Sequence, residues 1–166
     1  MSATFRRKTI SVDAATDRLE ALCSRSEQCS YELISKMRRW GVLPSDIEKV
    51  IDSLTERGYL NDQRFANAFV SDKYRFSSWG RRKILAALAA KRIPSAMARE
   101  ALDEIDPEIY AERLDNALKV KNRSLPDDLE PLMRRRKLYQ FAVARGYESG
   151  EVVKAIRRLV DSCATD

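Results

Sequence analysis

Residues 57–70 read RGYLNDQRFANAFV, and this stretch contains the signals for the end of one helix and the start of the next. Gly58 suits a helix end, because glycine adopts the left-handed backbone conformation at little cost. Asn61 is a favoured N-cap residue, and Leu60 and Phe65 have the spacing of a hydrophobic staple across that cap. The stretch therefore predicts a junction between two helical units. The buried face expected on the second helix is Phe65, Ala66, Phe69 and Val70.

On both sides of this junction, a pattern of eight positions occurs three times, at intervals of about 50 residues. The first copy is Leu33, Met37, Gly41, Val42, Ile47, Val50, Ile51 and Leu54. Seven of the eight positions are apolar or glycine in every copy. The exception is Arg92, which occupies the site of Gly41 and Gly146 and puts a left-handed turn in doubt there. Each copy indicates two helices joined by a tight turn, with a third amphipathic helix before them.

The repeats predict an all-α fold of three tandem three-helix repeats in an elongated, curved arrangement. A unit of about 50 residues is small for an independent core and must lean on its neighbours. The expected units are residues 10–57, 58–105 and 106–166, after a basic flexible tail at 1–9. The predicted helices span residues 13–25, 27–40, 46–57, 62–76, 79–91, 95–105, 107–122, 128–144 and 149–162. Residues 121–126, KNRSLP, are the expected mobile joint.

Local chemistry supports several of these helix starts. The residue pairs with capping-box or cap–proline spacing are Ser45 with Glu48, Asp127 with Glu130, and Asp106 with Pro107. Asp127 and Asp128 are accordingly interpreted as a helix start, where acidic residues are favoured, rather than as a catalytic carboxylate pair.

The composition argues against catalysis. The chain has no histidine, which removes Ser-His and Cys-His nucleophiles, histidine metal sites and the usual general base. There is no Gly-rich phosphate loop. Cys23, Cys29 and Cys163 lack zinc-type spacing and are expected to be reduced thiols, with Cys23 in a core. No secretory signal or membrane-spanning run is found, so we expect a cytoplasmic protein. Because the usual catalytic and metal-binding groups are missing, we also expect a protein that is not an enzyme and has no cofactor or metal.

The net charge of +6 indicates an anionic partner. The candidate contacts to nucleic acid are Lys73, Arg75, Arg81, Arg82, Lys83, Lys91, Arg92 and Arg99. No acidic residue lies between the first and the last of these cations, so local ion pairs are not expected. Tyr74 and Trp79 are candidates for stacking on unpaired bases. The alternative is a solvated basic face, on which Tyr74, Phe76 and Trp79 close the core between helices.

A second basic cluster follows in the third unit. Its members are Arg134, Arg135, Arg136 and Lys137. Successive residues of a helix point in different directions, so at most two of the four share a face. The cluster is either a further anion contact or a solvated surface partnered by Glu130. The N-terminal tail adds Arg6, Arg7 and Lys8, which are expected to be disordered unless they fold onto a phosphate backbone.

The opening stretch, followed by GRRKILAALAAKRI at residues 80–93, resembles the middle repeat of the RecX family of bacterial recombinase regulators. The matching positions are Gly58, Tyr59, Leu60, Asp62, Arg64, Phe65, Ala66, Gly80, Ile84, Leu88, Lys91 and Ile93. SYELISKM at residues 30–37 and ARGY at 144–147 also resemble family positions. Asn61 and Arg92 depart from the family pattern, which often has Asp and usually Gly at these sites. We interpret Gly58, Tyr59, Leu60, Asp62, Phe65 and Ala66 as a structural motif.

The resemblance implies an all-helical protein that binds the RecA recombinase in the groove of its filament on DNA. Such proteins inhibit recombinase, ATPase and co-protease activity by blocking filament growth or by promoting disassembly. The implied setting is DNA recombination, DNA repair and the SOS response. The expected partners are the RecA filament and single- and double-stranded DNA, without a membrane or cofactor, and the protein is expected to be a monomer. The basic candidates above would contact DNA or the filament.

Two other functions remain open from the residues alone. A stand-alone DNA-binding transcription regulator fits the short turns between helices, although no copy has an obvious recognition helix. A metal-dependent nuclease would need a carboxylate cluster, for which Glu100, Asp103 and Glu104 are candidates that otherwise resemble ordinary surface acids.

Overall fold

The structure is a computed structural model that describes residues 9–163, with side chains described as far as Val160. Within this range the chain forms nine helices and no strand. They are α1 Val12–Arg25, α2 Ser30–Arg39, α3 Pro44–Glu56, α4 Asp62–Phe76, α5 Arg81–Ala90, α6 Ser95–Asp103, α7 Pro107–Arg123, α8 Pro131–Ala144 and α9 Ser149–Cys163. The predicted all-α class is confirmed. The basic residues of the N-terminal tail, and the side chain of Cys163, lie outside the described part.

The turn positions of the sequence repeat share one backbone conformation. Gly41 has a φ of +77°, Gly146 of +91°, and Arg92, between them in the chain, of +59°. The doubt about a left-handed turn at Arg92 is therefore wrong. The turn is held by backbone hydrogen bonds from Arg92 to Ala89 and from Ile93 to Leu88, and these outweigh the modest strain of a side chain at positive φ.

Both predicted capping boxes are wrong. Helix α3 begins at Pro44, whose fixed φ suits the first helical position, so Leu43 is the N-cap and Ser45 lies inside the helix. Helix α8 begins at Pro131 for the same reason.

Glu130 itself caps α8, by accepting a hydrogen bond from the Met133 amide at 2.9 Å. Asp127 and Asp128 therefore lie in the turn before the helix and do not start it. Asp106 does cap α7, and its carboxylate accepts hydrogen bonds from the amides of Glu108 and Ile109.

The helices pack mainly within three groups, α1–α3, α4–α6 and α7–α9, and the main packing between groups is α4 on α7. The first group has its own buried core, whereas the second and third share one continuous core. Leu60 belongs to the first core and Phe65 to the shared core, so they do not form the predicted staple. Tyr59 and Leu60 close one core, and Phe65 and Ala66 begin the next.

Polar contacts fasten the first group to the second. The Asp62 carboxylate accepts a hydrogen bond from the Ser30 amide at 2.8 Å, and so caps α2 from outside its own unit. Arg64 pairs with Glu27 at 2.5 Å and also donates to the carbonyl of Gly58 at 3.1 Å. Because this external cap sits at Ser30, α2 begins there and not at the predicted residue 27.

The second and third groups meet backbone to backbone. The Gly80 amide donates to the Arg145 carbonyl at 2.8 Å, and the Arg82 amide donates to the Gly146 carbonyl at 3.0 Å. The free amides at the start of α5 thus satisfy carbonyls at the end of α8. A Cβ on Gly80 would lie 2.2 Å from the carbonyl carbon of Gly146, so this contact requires glycine.

The segment expected to be a mobile joint is anchored on both sides. Lys121 belongs to α7, which continues to Arg123, and Leu125 is buried. Arg134 of α8 donates to the backbone carbonyl and the side chain of Asn122, at 3.3 and 2.9 Å, and also to the Pro126 carbonyl. Arg134 therefore braces the connection between α7 and α8.

The contacts between groups fit an elongated molecule. The first group is fastened to the second through Asp62 on Ser30 and Lys91 on Glu32, and the second packs on the third through α4 and α7. Small units that each pack against their neighbours in the chain give such a form.

We predict that Gly80→Ala lowers the free energy of unfolding by about 3 kcal/mol, because the new methyl group forces the α5 and α8 backbones apart. The matched control is Gly150→Ala. Gly150 has no atom within 4 Å of an added Cβ, and it lies in α9, where alanine is the better helix former. Urea denaturation followed by circular dichroism measures both variants. Equal stability of the two would contradict the assigned contact.

Candidate nucleic-acid interface

The end of α4 and the start of α5 form a basic, aromatic rim. We use the name α4–α5 rim for Lys73, Arg75, Phe76, Trp79, Arg82 and Lys83. Helix α4 ends at Phe76, and Ser78 turns the chain with a φ of +51°. Gly80 then starts α5 against the end of α8. The sharp turn brings cations from two helices to one edge of the second group.

Trp79 organises the cations of this rim. Its half-buried ring packs edge-on against Phe69, with ring centroids 6.5 Å apart. The Lys73 ammonium lies 5.2 Å from the Trp79 ring centroid, and the Lys83 ammonium 4.4 Å. Cation–π attraction positions both ammonium groups without neutralising their charge.

Tyr74 and Phe76 differ from half-buried Trp79 in their exposure, in opposite directions. Tyr74 is 2% exposed and belongs to the core, so its assignment as a stacking residue is wrong. The helical period places it on the inner face of α4, with the Arg75 guanidinium 5.1 Å from its ring centroid. Phe76 is 79% exposed and is the ring best placed to meet a base.

The third group adds residues that the sequence interpretation did not include. The Arg145 guanidinium donates to the Ser77 carbonyl at 3.0 Å and lies 5.0 Å from the Phe141 ring centroid. Lys121 lies 5.7 Å from the same ring. The close approach of Gly80 and Gly146 brings Arg145 to the rim. Its position directly before the third turn glycine was the one available sequence signal.

Three of the eight candidate cations have acidic partners, contrary to expectation. Lys73 pairs with Asp72 at 3.2 Å, Arg81 with Glu148 at 3.2 Å, and Lys91 with Glu32. Glu148 and Glu32 come from the third and first groups, so only the tertiary fold brings them near. Arg82 and Lys83 are exposed and, among the described residues, form no ion pair.

The remaining candidates lie elsewhere. Lys91 and Arg92 are at the far end of α5, about 15 Å along the helix from Arg81. There they contact the first group, Lys91 through Glu32 and Arg92 through the Tyr31 ring at 5.7 Å. Arg99 is exposed on α6 and has no described contact with the rim. The structure therefore groups Lys73, Arg75, Arg82 and Lys83 with Trp79. It places Arg81 beside them in an ion pair with Glu148, and it separates Lys91, Arg92 and Arg99 from them.

The second basic cluster divides by helical direction, as its spacing predicts. Arg134 turns back to brace the connection between α7 and α8. Arg135 and Arg136 line a groove between α8 and α9. Lys137 is exposed and does not line that groove.

Beneath the rim, Tyr110 connects the second group to the third. Its hydroxyl accepts from the Arg81 amide at 2.9 Å and donates to Glu148 at 2.7 Å. Burial and this hydrogen bond to a carboxylate raise the pKa of Tyr110 well above its usual value. Burial likewise raises the pKa of Tyr147 to about 12. Both hydroxyls are therefore neutral at physiological pH, as the donation to Glu148 requires.

Other sites are sparse in the part of the chain that is described. Between residues 9 and 163, no set of three or more cysteine and acidic residues could hold a metal ion, so Glu100, Asp103 and Glu104 do not form a described metal site. Cys23 and Cys29 are free, and burial raises the pKa of both thiols. Over the same range, no helix has the length and apolar character needed to cross a membrane.

The fold and the rim define an all-helical protein made of three-helix units with a basic, aromatic edge. A model of the second three-helix domain of RecX matches residues 61–102. These residues form α4, α5, all of α6 except its last residue, and the connections between them.

Relatives match over most of the chain. A regulatory protein RecX of Prosthecochloris aestuarii is 34% identical over 84% of this chain and 87% of its own length. That of Pelodictyon phaeoclathratiforme is 33% identical over 92% of both chains. The protein therefore belongs to the RecX family of regulatory proteins.

Solved structures agree on the fold. The crystal structure of RecX from Lactobacillus salivarius superposes with a TM-score of 0.78 at 19% identity, over 89% of this chain and 96% of that one. A second crystal structure, of a regulatory protein RecX, gives a TM-score of 0.80 at 18% identity, over 88% of this chain and 73% of that one. At this level of identity the likeness concerns the arrangement of helices alone.

We predict that Tyr110→Phe lowers the free energy of unfolding by about 1–2 kcal/mol, because the Arg81 amide and the Glu148 carboxylate lose their common partner. Tyr147→Phe is the matched control. The Tyr147 ring lies 5.1 Å from that of Tyr110, but its buried hydroxyl has no partner among the described residues. Removing it is expected to leave stability unchanged or higher. Denaturation at neutral pH measures the free energy of unfolding of both variants. An equal decrease in the two would refute the bridging role of the Tyr110 hydroxyl.

Proposed function

We propose that the protein binds filaments of the RecA recombinase on single- or double-stranded DNA and inhibits their recombinase, ATPase and co-protease activities. It does so by blocking filament growth or by promoting disassembly. Membership of the RecX family supports the choice of RecA as partner. The α4–α5 rim carries the proposal, because it presents unpaired cations and an exposed ring at one edge. The protein acts by binding, as a cytoplasmic monomer without cofactor or catalytic group.

The chemistry of the rim suits a nucleic-acid strand. Arg82 and Lys83 carry positive charge into solvent, and each phosphate that they contact releases counterions. Phe76 and the half-buried ring of Trp79 offer flat surfaces to unpaired bases, which stack on aromatic rings without regard to sequence. Arg145 extends the same edge onto the third group. Direct readout of a particular base sequence is not needed for this role.

The extended form of the protein suits a filament. A filament repeats the same sites along its length, so several weak contacts on one molecule act together and raise the overall affinity. Separate basic areas on the second and third groups provide such contacts. A transcription regulator would instead need a helix that enters the major groove with base-reading side chains, and the rim is an edge formed by helix ends.

Neutralising the two unpaired cations, with Arg82→Gln and Lys83→Gln together, is expected to weaken binding to a single-stranded oligonucleotide. The negative slope of log K against log salt concentration should become shallower by about 1.4, which corresponds to two lost phosphate contacts. The control is Arg38→Gln with Arg39→Gln, which removes two exposed cations from the first group. Arg81 is left intact because it pairs with Glu148. An unchanged slope in the first variant would remove the rim from the DNA contact.

The single-strand-dependent ATPase of RecA tests the function itself. We expect the protein to lower the steady-state rate, and the Arg82→Gln, Lys83→Gln variant to do so less than the Arg38→Gln, Arg39→Gln control. Measurements at protein concentrations far below that of RecA, and equal to it, separate disassembly or capping from coating. No change in the rate at either concentration would refute the proposed function.

A further inference from the structure

Helix α8 has two apolar faces. Leu138 and Ala142 are buried in the shared core. On another side of the helix, Leu132 is 70% exposed, and Tyr139, seven positions further on, is half-buried. An apolar helix face is normally covered, and a second one on a surface helix marks an interaction site.

This second face forms one wall of a groove of about 730 Å³ between α8 and α9. The apolar lining consists of Leu132, Tyr139, Val153, Ile156 and Val160. Both helices line the groove at positions i, i+3, i+4 and i+7, from Leu132 to Tyr139 and from Val153 to Val160. Arginines occupy the i+3 and i+4 positions of α8 and the i+4 position of α9. Two parallel rows of side chains therefore extend along about 10 Å of helix, or two turns.

Three arginines border the groove: Arg135, Arg136 and Arg157. All are exposed, and none forms an ion pair with another described residue. Other cations of α9 are paired, since Lys154 contacts Glu151 at 3.1 Å and Arg158 contacts Asp115 at 2.7 Å. The groove thus combines an apolar floor with uncompensated positive charge.

We propose that the groove between α8 and α9 binds an acidic amphipathic helix of a protein partner. Its apolar residues, at i, i+3, i+4 and i+7, fill the space between the two rows, and its flanking carboxylates pair with the arginines. Charge complementarity identifies this partner and steers its approach. The inference does not depend on the proposed action on RecA filaments.

The shape and charge of the groove disfavour other occupants. A nucleic acid would meet the arginines but leave the aliphatic floor of Leu132, Val153 and Ile156 uncovered. A membrane is flat on this scale and would not fill a concave space. The first eight residues of this chain contain three basic and no acidic residues, so they carry the wrong charge.

The probe is a fluorescein-labelled peptide of about three helical turns, with leucines at i, i+3, i+4 and i+7 and glutamates beside them. A side-chain staple holds it helical, because such short helices are unstable in water. Fluorescence anisotropy with the full chain is expected to show saturable binding. A stapled peptide with lysines in place of the glutamates should bind at least about tenfold more weakly.

Two pairs of variants test the groove. Arg136→Glu with Arg157→Glu should weaken peptide binding about tenfold, whereas Lys137→Glu with Lys154→Glu, the same charge change on the same helices, should not. Leu132→Asp should abolish binding, whereas Val120→Asp should not; Val120 is 66% exposed on α7 and outside the groove. Amide chemical-shift changes on peptide addition should concentrate on α8 and α9.

Several results would overturn the proposal. One is equal binding of the acidic and basic peptides, and another is equal affinity in the groove variants and their controls. A shift from dimer to monomer in sedimentation of Leu132→Asp would make a second copy of this chain the occupant. A peptide affinity that rises about tenfold when residues 164–166 are deleted would make the chain's own end the occupant. Failure of any of these tests leaves the RecA ATPase result unaffected, so the two proposals are distinguishable.

Discussion

The contact between the backbones of Gly80 and Gly146 is the constraint on which much of the molecule depends. Two helix ends meet there without side chains between them, so the free amides of α5 bond directly to the terminal carbonyls of α8. The positive end of one helix dipole thus faces the negative end of another. The same contact brings Arg145 to Ser77 and Glu148 to Arg81, so the continuous core and the basic edge share one origin.

Among the described basic residues of the protein, some are paired with acidic residues of another helix group and others are left unpaired. Lys91 and Arg81 pair with Glu32 and Glu148 and hold successive units together. Such pairs are partly exposed and each contributes little stability, but they fix how one unit sits on the next. Other cations, such as Arg82, remain unpaired and retain their charge for a partner. A basic run in the sequence therefore contains both cations that join helix groups and cations that stay unpaired among the described residues.

The two uncovered surfaces differ in chemistry. The α4–α5 rim is an edge of cations and rings, suited to a polyanion whose bases can stack. The groove between α8 and α9 is an apolar channel with a basic border, suited to a protein helix. They lie on different helix groups of one extended chain. The two proposals therefore assign different partners, a nucleic-acid strand and a protein helix, to different parts of the chain.

The sequence by itself determined the helices, most of their turns and the family, because these depend on local spacing: Gly58 follows the end of one helix in a left-handed turn, and Asn61 caps the next. It also put the rim cations in one basic run, but it did not separate Lys91, Arg92 and Arg99 from them. Proline at a first helical position displaced two predicted caps, since backbone geometry overrides a side-chain motif. Only the tertiary structure decided that Tyr74 is core, that Asp62 caps a helix of another unit, and which cations are paired. Those outcomes depend on contacts between residues far apart in the chain, and no local pattern contains them.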